Sequence, residues 1–116
     1  MASRVQNKWV LITGASSGFG AATARAFGAE GAKILIGARR VERLDKVADE
    51  CRKAGASEVH AHFLDVSSTK SVNEFVNWAR EKITASKTSS GKLDVLINNA
   101  GGAHGLDTVA DGKDED

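Results

Sequence analysis

Three glycines, at positions 14, 18 and 20, stand in "LITGASSGFGAA" (11–22), directly behind a short apolar run and in front of an alanine-rich one. Glycine accepts positive φ and lets another group approach the backbone, at a cost of roughly 0.5–1 kcal/mol wherever it is ordered in a helix or strand. Where a strand gives way to a helix, such residues uncover the unpaired N–H groups and partial positive charge of the helix start. The chemistry this suits is the binding of an anion. Gly14 would make the turn, Gly18 would open the helix to the incoming group, and Gly20 would let helix and strand pack closely. Arg39 and Arg40 close a second apolar run, "AKILIGA", where planar guanidinium forks can grip a further anionic group. A tight turn with a packing contact, and a solvated strand end, explain the same residues on local grounds alone.

These groups need elements to position them. "KWVLITG" (8–14) predicts a buried strand, and residues 18–30 predict a helix that Gly31 ends near its C-cap. "AKILIGARR" (32–40) predicts a second buried strand. After it, Val41, Leu44, Val47, Cys51 and Ala54 form the apolar stripe of a helix closed by Gly55. In "SEVHAHFLDVSS" (57–68), Val59, Ala61 and Phe63 alternate with His60 and His62, which predicts a strand with one wetter face. The serines that follow can cap a helix with the stripe Val72, Phe75, Val76, Ala79 and Ile83. "ASKTSSGK" (85–92) reads as a polar linker, and "KLDVLINNAGGAHG" (92–105) as a fourth strand running into a glycine-rich loop. Strands separated by helices must run parallel, with right-handed crossovers. The expected fold class is therefore α/β, a Rossmann-type three-layer αβα arrangement. Its parallel sheet has the order 3-2-1-4, half of a doubly wound sheet, and the glycine loop lies at the switch between strands 1 and 4.

The 116 residues suit one domain with a core of its own. The apolar runs fall far below the roughly 18 residues a membrane span needs, and the N-terminus has no signal-peptide pattern. Cys51 is the single cysteine and can form no internal disulfide, which fits a reducing cytoplasm. A net charge of +1 argues against nucleic-acid or membrane partners. The acidic stretch "DTVADGKDED" (107–116) reads as a solvated loop.

With that order of elements, Arg39 and Arg40 fall where a dinucleotide-binding fold reads the ribose of its cofactor. An acid there would accept the 2′-hydroxyl of NAD, whereas arginine suits the 2′-phosphate of NADP. Charge-assisted bonds of that kind contribute roughly 1.5–3 kcal/mol each, about a tenfold preference or more. No "GK[ST]" follows the glycines, so this is not a loop for a γ-phosphate.

"TGASSGFG" (13–20), "GARR" (37–40), "LDV" (64–66) and "NNAG" (98–101) together resemble the short-chain dehydrogenase/reductase family, in that family's order and spacing. Phe19 and the "GARR" strand end resemble its NADP-dependent 3-hydroxy acid and serine dehydrogenases. The resemblance implies that Gly14, Ser16, Ser17, Gly18, Phe19 and Gly20 form the loop around the diphosphate and adenosine ribose. It implies that Arg39 and Arg40 hold the 2′-phosphate, and that Asp65, with the backbone of Val66, bonds the adenine amino group. Asn98 would tie strand 4 to its neighbours. Asn99, Ala100 and Gly101 would line the ribose path toward the nicotinamide. For Asp65, an ordinary helix-cap acid stands as the local alternative.

His60 and His62 lie two apart on one strand face with no third ligand near, so they read as outward-facing and no metal is expected. Cys51 falls in an apolar stripe and reads as core. Ser16 and Ser17 have no neighbouring base to activate them. His104 lies in the loop after strand 4, where a general base is conceivable without support. The family's catalysis belongs to a Tyr-x-x-x-Lys pair with a Ser and an Asn, and this chain contains no tyrosine. No catalytic residue is therefore assigned. Two expectations stand side by side. In one, the chain is the truncated cofactor-binding part of an NADP-dependent oxidoreductase that transfers hydride to or from a small hydroxy or carbonyl substrate. In the other, it is a stand-alone dinucleotide-binding module. A methyltransferase-type binder is opposed by "NNAG" and by the two arginines. A fourth strand without its neighbour would leave an apolar edge and favour homo-oligomers or aggregation.

Overall fold

Backbone pairing organises the chain around β1 (Trp9–Thr13), every residue of which is buried. A computed structural model describes residues 4–16, 18–86 and 91–99. In chain order, β1 is followed by α1 (Gly18–Ala29), β2 (Lys33–Ala38), α2 (Val41–Ala54), β3 (Glu58–Phe63), α3 (Thr69–Ala85) and β4 (Val95–Asn98). All pairings are parallel, and the sheet order is β3-β2-β1-β4, as the alternation of strands and helices predicts. β1 sits in the middle, with Ile12 beside Ile36 on one side and Ile97 on the other.

Alternation along the strands feeds two cores. Val10, Ile12, Ile34, Ile36 and Val59 pack with Ala21, Ala24, Leu44, Val47 and Cys51 of α1 and α2. Trp9, Leu11 and Leu35 pack on the opposite face with Val72, Phe75, Val76, Ala79 and Ile83 of α3. This is the expected three-layer arrangement, and both faces of the central strands are dry because a helix layer lies on each. The α3 stripe is buried as its period predicts, and Ser68 is the N-cap, its hydroxyl accepting the Ser71 N–H at 3.2 Å. α1 approaches α2 closely because its inner face is small: a Cβ on Gly28 would lie 3.1 Å from the Cys51 carbonyl oxygen. Among the described residues no helix is long and apolar enough to cross a membrane.

Three expectations are corrected. His60 and His62 do not face outward: α3 covers their side of the sheet. His60 stacks on Trp9 with ring centroids 6.4 Å apart, and the His62 ring lies 5.0 Å from Trp78. Phe63, placed by alternation on the covered face, is 44% exposed at the end of the edge strand. Both ends of the α2 stripe, Val41 and Ala54, are also exposed, at the first and last residues of the helix. The acidic stretch 107–116 lies outside the described residues.

Candidate functional site

At the carboxyl end of β1 the chain turns at Gly14 (φ 65°) and enters α1 at Gly18 (φ 59°), two backbone conformations that glycine adopts without strain. Gly20, one turn into the helix, faces back onto that turn. A Cβ there would lie 2.8 Å from the Gly14 carbonyl carbon and 2.9 Å from Ala15 Cα, so only hydrogen fits. Gly18 points the other way, into space with no atom within 4 Å of the Cβ position. One glycine is thus needed for packing beneath the loop, and the other leaves room above it.

Two cross-links fix the loop to the rest of the sheet. The Ala15 N–H donates to the Gly37 carbonyl of β2 at 3.3 Å, and Asn99 Nδ2 donates to the Gly14 carbonyl at 3.3 Å. Below them, the buried Thr13 hydroxyl donates to Asn98 Oδ1 at 2.9 Å, so Asn98 ties β4 to β1. At the opposite end, Asp94 takes the Trp9 N–H at 2.8 Å and returns its own N–H to the Trp9 carbonyl. β4 is short, and these side-chain bonds at both ends hold its register against β1.

Beside the loop lies a cleft of about 490 Å³ over the carboxyl ends of β1, β2 and β3. Gly14, Ser16, Arg39, Arg40, Asp65 and Val66 all line it, so six of the residues singled out by sequence meet in one place. Gly20 lies buried beneath the loop, and Gly18, Phe19 and Asn99 stand exposed at the loop and strand end. Phe19 is 84% exposed, a large apolar ring held in solvent at the first turn of α1. Ser17, Ala100, Gly101 and His104 lie outside the described residues.

The charges of the cleft are ordered. Arg40 is the N-cap residue of α2, whose first turn has no side-chain cap, and Arg39 precedes it. Neither has a salt-bridge partner among the described residues. Asp65 is not the cap of α3. Its Oδ1 accepts the Ser67 hydroxyl at 2.6 Å and the Ser67 N–H at 3.0 Å, and these two bonds hold its carboxyl below the usual range. Burial opposes the shift, and the positive charge of Arg39 adds to it. The backbone N–H of Asp65 donates in turn to Ser71 Oγ at 2.9 Å, which locks the residue onto α3.

Sequence reasoning missed three participants. Arg43 lines the cleft with Arg39 and Arg40, and its spacing of three from Arg40 on a helix was the available signal. Ser67 donates both hydrogen bonds that lower the Asp65 carboxyl. Gly37 lies under the cleft, where a Cβ would meet the Phe75 ring at 2.5 Å and Leu64 Cβ at 3.1 Å. No local pattern announces that contact. Among the described residues there is no group of three metal-binding side chains.

The family model described as short chain dehydrogenase matches residues 8–116. The meso-2,3-butanediol dehydrogenase of Serratia marcescens is 43% identical over 98 residues, which cover 84% of this chain and 35% of that protein. Among solved structures, an alcohol dehydrogenase of the archaeon Thermococcus sibiricus, complexed with 5-hydroxy-NADP, is 42% identical with a TM-score of 0.66. That likeness covers 77% of this chain and 35% of the other. A metagenomic short-chain oxidoreductase in complex with NADP is 34% identical with a TM-score of 0.69, over 81% of this chain and 39% of the other. The chain therefore spans 35 to 39% of the length of these relatives. A match that runs from the first strand through the glycine turn to Asn98 and Asn99 at the end of β4 and beyond makes this chain a member of the short chain dehydrogenase family.

Proposed function

We propose that this chain holds NADP(H) at the carboxyl end of its sheet, as the cofactor-holding part of an oxidoreductase that moves hydride between that cofactor and a small hydroxy or carbonyl substrate. The observation that carries this reading is the position of Arg39 and Arg40. They line the cleft at the end of β2 with no salt-bridge partner among the described residues, where a 2′-phosphate would find two guanidinium forks. The open space above Gly18 supports a diphosphate close to the backbone. Two similar structures were solved with NADP or a derivative of it.

In this reading Gly14, Ser16, Ser17, Gly18 and Phe19 surround the diphosphate and adenosine ribose, and Gly20 shapes the turn beneath them. Asp65, its Oδ1 held by the Ser67 hydroxyl, accepts a hydrogen bond from the adenine amino group beside the Val66 backbone. Asn99, Ala100 and Gly101 line the way to the nicotinamide. The cofactor supplies hydride when bound. This chain's own residues bind and orient it, and none of them is assigned the proton transfer. A second reading, a dinucleotide-binding module without hydride transfer, stands beside it. Residues 1–116 then form one Rossmann-type domain working in the reducing cytoplasm. The outer edge of β4, paired only with β1 among the described residues, invites self-association.

Calorimetry with NADPH and NADH tests the cofactor. NADPH should bind about tenfold more tightly or better, and Arg39→Ala should abolish the difference. Equal affinities overturn the reading. Turnover of NADPH with a panel of carbonyl compounds separates oxidoreductase from binding module.

A further inference from the structure

Arg43 stands one helical turn beyond Arg40 on α2 and lines the same cleft as Arg39 and Arg40. Its guanidinium is exposed and forms no salt bridge among the described residues, although Glu42 and Asp45 lie close to it in the chain. Elsewhere Arg25 pairs with Glu50 at 3.0 Å, and Arg52 holds Asp49 at 2.8 Å and the Val59 carbonyl at 3.1 Å. Arg39, Arg40 and Arg43 form no salt bridge among the described residues, although Asp65 shares their cleft.

A phosphomonoester carries nearly two negative charges and three strong acceptor oxygens. One guanidinium fork engages two acceptors, so two arginines match the charge but leave acceptor lone pairs of the three oxygens for a third. We infer that Arg43 is a specificity-determining residue of the cleft, the third cation that reads the 2′-phosphate and so sets the preference for NADP over NAD. This rests on the cofactor reading above. Arg43 lies on the helix rather than on the strand end, so its reach toward the anion is set by how α2 docks on β2.

The experiment is calorimetry of the full chain and of Arg43→Ala and Arg43→Lys with NADPH and NADH, each variant's fold confirmed by its thermal melt. The substituted side chain is exposed, so both variants should fold. The inference expects Arg43→Ala to bind NADPH about tenfold more weakly with NADH affinity unchanged. Arg43→Lys should fall between, because it keeps the charge without the fork. If the unaltered chain prefers NADPH and Arg43→Ala preserves that preference, or weakens both cofactors equally, the inference is overturned while the cofactor reading stands. If the unaltered chain shows no preference, the cofactor reading fails and takes the inference with it.

Discussion

The carbonyl of Gly14 accepts the side-chain amide of Asn99 at 3.3 Å across 85 residues of sequence, and the same peptide is the one against which Gly20 packs. A single backbone unit therefore joins the end of β1, the first turn of α1 and the end of β4. The underside of the Gly14 turn is thus filled from two directions.

Gly20→Ala tests that packing. Alanine favours a helix over glycine by about 0.8–1 kcal/mol, so the change would stabilise an ordinary helix. Here the new Cβ meets backbone atoms that cannot rotate away, and overpacking of this kind costs about 1–3 kcal/mol or more. Urea denaturation should show a net loss of roughly 2 kcal/mol. A gain in stability would mean that the turn relaxes freely.

Gly37→Ala should be destabilising by about 1–3 kcal/mol, because its Cβ would press on the buried Phe75 ring, itself held 5.2 Å from Trp78. Phe75→Leu removes the obstructing ring edge. The double variant should then be less destabilised than the two single changes predict, with a coupling of about 1 kcal/mol in its favour. Strict additivity would assign the cost of Gly37→Ala to another cause.

The carboxyl of Asp65 lies below its ordinary value of 3.8 in the folded chain. A group whose folded pKa is depressed contributes stability above its unfolded pKa and loses it as the pH falls through the folded value. The wild-type chain should therefore lose more stability than Asp65→Asn as the pH drops from about 5 to about 2.5. Urea midpoints measured across that range check this, and parallel acid limbs for the two proteins would contradict it. Ser67→Ala should imitate the substitution, since Ser67 donates the larger of the two lowering bonds.

Burial against α1 pushes the Cys51 thiol up to about 11, with the positive charges of Arg25 and Arg52 opposing the rise and Glu50 adding to it. The native chain should resist a chromogenic disulfide reagent at about pH 8, where an exposed thiol near its ordinary pKa of about 8.5 reacts readily. In urea one thiol per chain should react promptly, because the sequence has one cysteine. Fast labelling without denaturant would show that α2 opens from α1 on the labelling timescale.

Much of this architecture was legible before any coordinates. The apolar runs and the period of the helical stripes gave β-α-β-α-β-α-β, parallel strands and the sheet order, because a parallel crossover with its fixed hand leaves few arrangements. Gly14, Arg39 and Asp65 were picked out as individual residues, and the fold brings them to one cleft. Periodicity, however, says that a strand has two faces without saying what covers them. The alternation at His60 and His62 predicts a wetter face, and only the path of α3 makes it a half-buried one.

The sequence by itself determined which segments become strands and helices, since those depend on residues a few positions apart. Tertiary structure alone decided the contacts between residues distant in the chain: Gly37 under Phe75, Asn99 on Gly14, and Arg43 swung to the wall of the cleft by the docking of α2. Their partners lie 38 to 85 residues away, or on another element, and no short-range propensity encodes which side chains such distances bring together.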